Sequence, residues 1–125
     1  MLELEARVDE LAATYRRDGY VVLRDAVSGA RVDELRREAA RICRGELGAI
    51  GGLEQGIPGE SDDDVMARTL CIHFPHKISP LMLQAMKHPA VVDALTRLIG
   101  PNVKAMQTSA FQKMDVPPDK RALLP

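Results

Sequence analysis

Aromatic residues are almost missing from this chain of 125 residues, which has no tryptophan, two tyrosines and two phenylalanines. Net charge is as scarce, at −1 near neutral pH. A nearly neutral chain sets up no field that would gather phosphates, and no window pairs clustered lysine or arginine with the aromatics on which single strands stack. Nucleic-acid binding is a poor reading on both counts. Apolar runs are short too, so no stretch approaches the roughly 20 residues of a membrane-spanning helix. Residues Met1 to Arg7 carry two glutamates and no apolar run, unlike a secretory signal or a transit peptide. These absences lead to the expectation of a cytoplasmic chain without a membrane partner.

Motifs of several chemistries are also absent. Cys43 and Cys71 form neither a CxxC pair nor a metal-type spacing, so reduced, partly buried thiols are expected. None of His73, His76 and His88 begins an H-x-D or H-x-E motif. His73 and His76 make an H-x-x-H, but Pro75 between them forbids a regular helix, and the cysteines complete a zinc set only awkwardly. The run Asp62-Asp63-Asp64 lacks the spaced pattern and distal glutamate of a calcium loop. No G-x-S-x-G elbow, phosphate loop or dinucleotide fingerprint is present. Hydrolase and nucleotide-binding readings have no support.

What remains is an ordinary globular composition, 46% hydrophobic and 28% charged, enough for one domain with a core. Leu4, Val8, Leu11, Ala12 and Tyr15 form one stripe of an amphipathic helix that Gly19 ends. Tyr20 to Leu23, β-branched and aromatic, reads as a short buried strand. Ser28 then caps a second helix, with Val32, Leu35, Ala39 and Ile42 inward and Arg31, Asp33, Glu34, Arg36, Arg37 and Glu38 toward water. Glycine and acid dominate Glu46 to Asp64, the composition of a mobile surface loop. Ser79-Pro80 opens another helix, which must stop or kink near His88 because Pro89 follows. The helix that starts there carries Val91, Val92, Leu95, Leu98 and Ile99 on one stripe and ends at Gly100-Pro101.

Val103 to Lys113 reads as a strand with Val103, Ala105, Gln107, Ser109, Phe111 and Lys113 on one face. Polar Gln107, Ser109 and Lys113 among apolar neighbours suit a lined cavity, although the pattern equally fits an exposed sheet face.

Three stretches together resemble the amino-terminal part of the phytanoyl-CoA dioxygenase family. Tyr15-Arg16-Arg17-Asp18-Gly19-Tyr20-Val21-Val22-Leu23-Arg24-Asp25 is similar to the family's opening helix, D-G-aromatic turn and short strand before a second helix. The second runs from Phe74-Pro75-His76-Lys77 through Lys87-His88-Pro89-Ala90-Val91-Val92 to Leu98-Ile99-Gly100-Pro101-Asn102-Val103 and resembles its H-P-x-(V/L) helix leading to an L-(I/L)-G-P turn. Met106 to Lys113, followed by Pro117-Pro118, looks like the strand and proline turn before the family's tryptophan-histidine-x-aspartate segment.

The resemblance implies an α+β chain: the amino-terminal helices and first strands of a double-stranded β-helix, or jelly roll, in a truncated form. Residues 1–118 would be the family-like part and 119–125 a divergent tail. It further implies an iron(II)- and 2-oxoglutarate-dependent dioxygenase that hydroxylates a small organic or acyl substrate. The family's iron ligands, a histidine and aspartate of that segment and a later histidine, have no counterpart in these 125 residues. The expectation is therefore that this chain alone binds neither cofactor and is inactive. Cosubstrate-binding roles carry over to Lys77, before the H-P helix, and to Gln107 and Ser109 on the pocket strand. A solvated lysine and sheet-edge hydrogen bonds are their bland alternatives. The competing functional reading is a non-catalytic remnant or small helical interaction domain, and an unpaired strand edge would invite self-association.

Overall fold

The computed structural model describes residues 2–50, 56–69 and 71–111. The elements in it run α1 (Leu2–Asp18), α2 (Gly29–Cys43), α3 (Asp62–Ala67), β1 (Cys71–His73), a 3-10 turn (Pro75–Lys77), α4 (Pro80–Met86), α5 (Pro89–Ile99) and β2 (Ser109–Phe111). Helix and a small amount of sheet are mixed, as an α+β chain requires. No helix among the described residues is long and apolar enough to cross a membrane.

Local chemistry sets the helix ends. Ser28 Oγ accepts from Arg31 N at 3.2 Å, and Ser79 Oγ accepts from Met82 N at 3.1 Å. At α5 the cap is His88, whose Nδ1 accepts from Ala90 N at 3.2 Å while Pro89 takes the first helical position. Gly100, with φ +102°, ends that helix in a conformation that side chains resist. Of the expected α1 stripe, Leu11, Ala12 and Tyr15 turn inward, and Leu4 and Val8 lie outside the described side chains.

Four expectations need correction. Residues 20–23 are extended, as their β propensity dictates, but they have no ladder partner among the described residues and are not a strand. Tyr20 is 66% exposed, while Val21 and Leu23 pack toward α1 and α5. The acidic run is no loop: Ser61 caps α3, accepting from Asp64 N at 3.1 Å, and Asp62 to Asp64 form its first turn. Acids there complement the helix dipole. The strand expected from Val103 begins only at Ser109, because β1, its partner, is three residues long. On α2, Val32 is exposed and Glu38, assigned to water, is 6% exposed.

The core explains the last point. Ala40, Ile42 and Cys43 of α2 pack with Val65 and Met66 of α3 and Ile72 of β1. The helix is thus rotated so that its C-terminal half meets α3, and Glu38 points at the start of α4. There it accepts from Ser79 Oγ at 2.6 Å and from Arg41 at 2.8 Å. Ion pairs fasten α2 to α3 from outside: Arg36 to Asp63 at 2.6 Å and Arg44 to Asp62. Both cysteines are free, Cys43 buried and Cys71 half-buried, in line with the expected reduced thiols.

Ser79→Ala removes a helix cap and strands one oxygen of a buried carboxylate, so it should cost about 2–3 kcal/mol. Urea unfolding of the two chains checks this; a midpoint unchanged by the substitution would show that the link is dispensable. A second expectation concerns acid. Arg68, together with the Ile57 N–H, holds the Glu60 carboxyl below its ordinary range. A lowered folded value contributes stability that is present above the unfolded carboxyl's pKa of about 4.3 and is lost as pH falls through the folded value. Arg68→Ala should flatten the loss of stability below about pH 4, read from urea midpoints across pH.

Candidate functional site

The two strands form an antiparallel ladder with Cys71 opposite Phe111, Ile72 opposite Ala110 and His73 opposite Ser109. Directly opposed residues share a face, and successive residues alternate. Ile72 is buried and Ala110 packs against the same core, so that face is the inner one. Cys71, His73 and Ser109 occupy the outer face. The ladder therefore presents a thiol, an imidazole and a hydroxyl away from the core.

Beyond His73 the chain turns sharply at Phe74, which has φ +54°. A bulky residue in the left-handed region is strained and needs surrounding contacts to hold it. Two hydrogen bonds do so: the Phe74 N–H donates to Thr108 O at 2.9 Å, and its carbonyl accepts from Lys77 N at 3.0 Å. The Lys77 ammonium lies 4.7 Å from the Phe74 ring centroid, a cation–π contact worth about 0.5–1 kcal/mol at an exposed site. His76 turns the other way, its Nδ1 2.5 Å from Thr108 Oγ1. Thr108 thus grips the turn twice, by carbonyl and by hydroxyl.

This clamp decides where the three expected site residues lie. Lys77 is exposed on the turn; Gln107 and Ser109 flank Thr108 on the facing segment. Gln107 is exposed and precedes β2, and Ser109 is half-buried in it. The turn and the segment that carry them are tied together. Lys113, the weaker candidate, lies outside the described residues. Thr108, Phe74 and His76 were not singled out as site residues. The available signal was Phe74-Pro75, since a residue before proline leaves the α region, but a left-handed bend does not follow from it.

Among the described residues, no group of three or more His, Cys, Asp or Glu is arranged to hold a metal ion. A separate groove of about 640 Å³ lies between α1, residues 20–26 and α5. Its floor includes Leu11, Leu23, Ala94 and Leu98, and Lys77, Gln107 and Ser109 do not line it.

The family described as Phytanoyl-CoA dioxygenase (PhyH) matches the chain over residues 15–119. No curated protein and no solved structure matches. The matched span contains α2 to β2, the whole Thr108 clamp and the groove lining except Arg7, Glu10, Leu11 and Thr14 of α1.

Thr108→Val keeps the backbone bond and deletes the hydroxyl. It should cost about 1 kcal/mol and raise amide exchange at Phe74 roughly fivefold. Hydrogen exchange followed by NMR reads this, and unchanged protection at Phe74 would mean that the imidazole–hydroxyl contact holds nothing.

Proposed function

Because the chain belongs to the phytanoyl-CoA dioxygenase family, we propose that it is the front portion of an iron(II)- and 2-oxoglutarate-dependent dioxygenase acting on a small organic or acyl substrate. The family match over residues 15–119 carries the reading. In that enzyme the β1–β2 ladder would belong to a jelly roll, and the cytoplasm would be its compartment.

The described residues do not fit the iron. His73 and Cys71 share a face, but His76 is committed to Thr108 and no acid joins them. The metal's ligands, under this proposal, come from sequence outside these 125 residues. No step of the reaction is assigned to this chain's own groups.

The cosubstrate is a different matter, because 2-oxoglutarate is a dicarboxylate and needs donors. Lys77 offers an ammonium that the described residues engage only through the Phe74 ring. Gln107 offers amide N–H groups and Ser109 an O–H, donors that suit carboxylate and keto oxygens. Bound with iron, 2-oxoglutarate supplies the electrons with which oxygen is activated. Lys77 would hold and orient a carboxylate, and Gln107 and Ser109 would fix its rotation. The reading also leaves a strand edge for self-association, since among the described residues the sheet has two strands.

Without iron the chain should hold 2-oxoglutarate too weakly to retain it, but titration into isotope-labelled chain should still perturb amide signals of Lys77, Gln107 and Ser109, with a Kd on the order of 1 mM for so few donors. Lys77→Glu should abolish the response. Perturbations elsewhere, or none by about ten times that concentration, would remove the three residues from the proposal. The purified chain should form no succinate with iron, oxygen and 2-oxoglutarate, and turnover would overturn the assignment of the ligands to other sequence. Reading the DNA downstream of codon 125 tests the front-portion reading directly, through presence or absence of a tryptophan-histidine-x-aspartate segment.

A further inference from the structure

We propose that Cys71 is an oxidant-sensitive thiol for which His73 is the built-in base. The proposal is independent of the cosubstrate assignment and needs only the chain as it stands.

Three observations carry it. Cys71 Sγ lies 3.9 Å from His73 Nδ1, within reach of an S–H donating to the ring nitrogen. This proximity is set by the ladder, since residues two apart on a strand share a face and Ile72 between them is anchored in the core. Both groups stand on the outer face, with Cys71 half-buried and His73 exposed, so a small oxidant has access. The second thiol gives the contrast: Cys43 is 3% exposed in the core cluster. The core closes Cys43 off from an oxidant, whereas Cys71 has both a base within reach and solvent access.

The reaction class is two-electron oxidation by a hydroperoxide. The Cys71 proton moves to His73 Nδ1, and a sulfur electron pair attacks one peroxide oxygen. The O–O bond breaks as the S–O bond forms. The departing oxygen takes the proton back from the imidazolium and leaves as water or an alcohol. Sulfur is oxidised to sulfenic acid and the peroxide is reduced. Ser109, across the ladder from His73, lies on the same face as the product.

The test uses the full reduced chain, hydrogen peroxide as oxidant and dimedone as trap, with both cysteine peptides quantified by mass spectrometry. Cys71 should be labelled at least about tenfold faster than Cys43, and His73→Asn should slow Cys71 about fivefold. Cys43 labelling reports the integrity of the fold in every sample. Should His73→Asn unfold the chain, seen as a jump at Cys43, His73→Gln is read in its place with the same expected drop. Equal rates at the two thiols in the unaltered chain, or a Cys71 rate indifferent to a folded His73 variant, would overturn the proposal.

Discussion

One buried carboxylate holds the arrangement together. Glu38 comes from the middle of α2 and is taken out of water beside the first residues of α4. Such a group is tolerable only when its oxygens are paired. Ser79 pairs with one oxygen and Arg41 with the other. Ser79 does a second thing at the same moment, since its hydroxyl oxygen also caps α4. Its N–H donates to Pro75 O at 3.0 Å, which ties the cap back to the 3-10 turn. A displacement of Glu38 is therefore felt at Ser79, then at Pro75, and so at the turn that carries His76 and Lys77. The site lies at the end of this chain of contacts.

What could be read from the sequence follows the same division between local and distant causes. Ser28, Ser79, His88-Pro89 and Gly100-Pro101 act within a turn of their own positions, and each marks the helix end it was expected to mark. Residues 20–23 failed because a strand is a relation between two segments: the backbone obeyed its β-branched residues, but among the described residues no second segment came alongside. β1 was missed for the converse reason. Three residues, Cys71 to His73, carry too little pattern to declare a strand until Ser109 to Phe111 pairs with them. Glu38 could not be read from α2 alone, because a charged residue among other charges looks solvated, and only the arrival of Ser79 from 41 positions away makes it an inward group. The cap at Ser61 was missed, although its signal is local. A serine three residues before an acid is a cap signature, while glycine and acid together suggested a loop.

The candidate site divides similarly. Lys77, Gln107 and Ser109 were reached through resemblance, and the structure puts them on two segments that Thr108 joins. The joining residue itself was not legible. Thr108 is an unremarkable threonine in an extended stretch until Phe74, in its left-handed conformation, offers an N–H to it and His76 offers a ring nitrogen. A strained residue and its clamp are mutually dependent: the strain persists because the clamp holds it, and the clamp has partners because the strain turns the chain.

The two faces of so small a ladder have opposite duties. Its inner face, Ile72 and Ala110, supplies apolar anchorage to the α2–α3 core, and that anchorage fixes the strand against rotation about its axis. A strand that cannot rotate presents its other side chains at fixed positions. This is why Cys71 and His73 meet, and why Ser109 stands opposite the imidazole. The burial of one isoleucine thus orders the chemistry on the far side. By contrast α5 has an apolar stripe with no fully buried residue, and Ile99 is 61% exposed, so its surface is poorly held by the described fold. Among the described residues burial is concentrated where α2, α3 and β1 converge, and Cys71, His73 and Ser109 stand on the outer face of the ladder attached to that point.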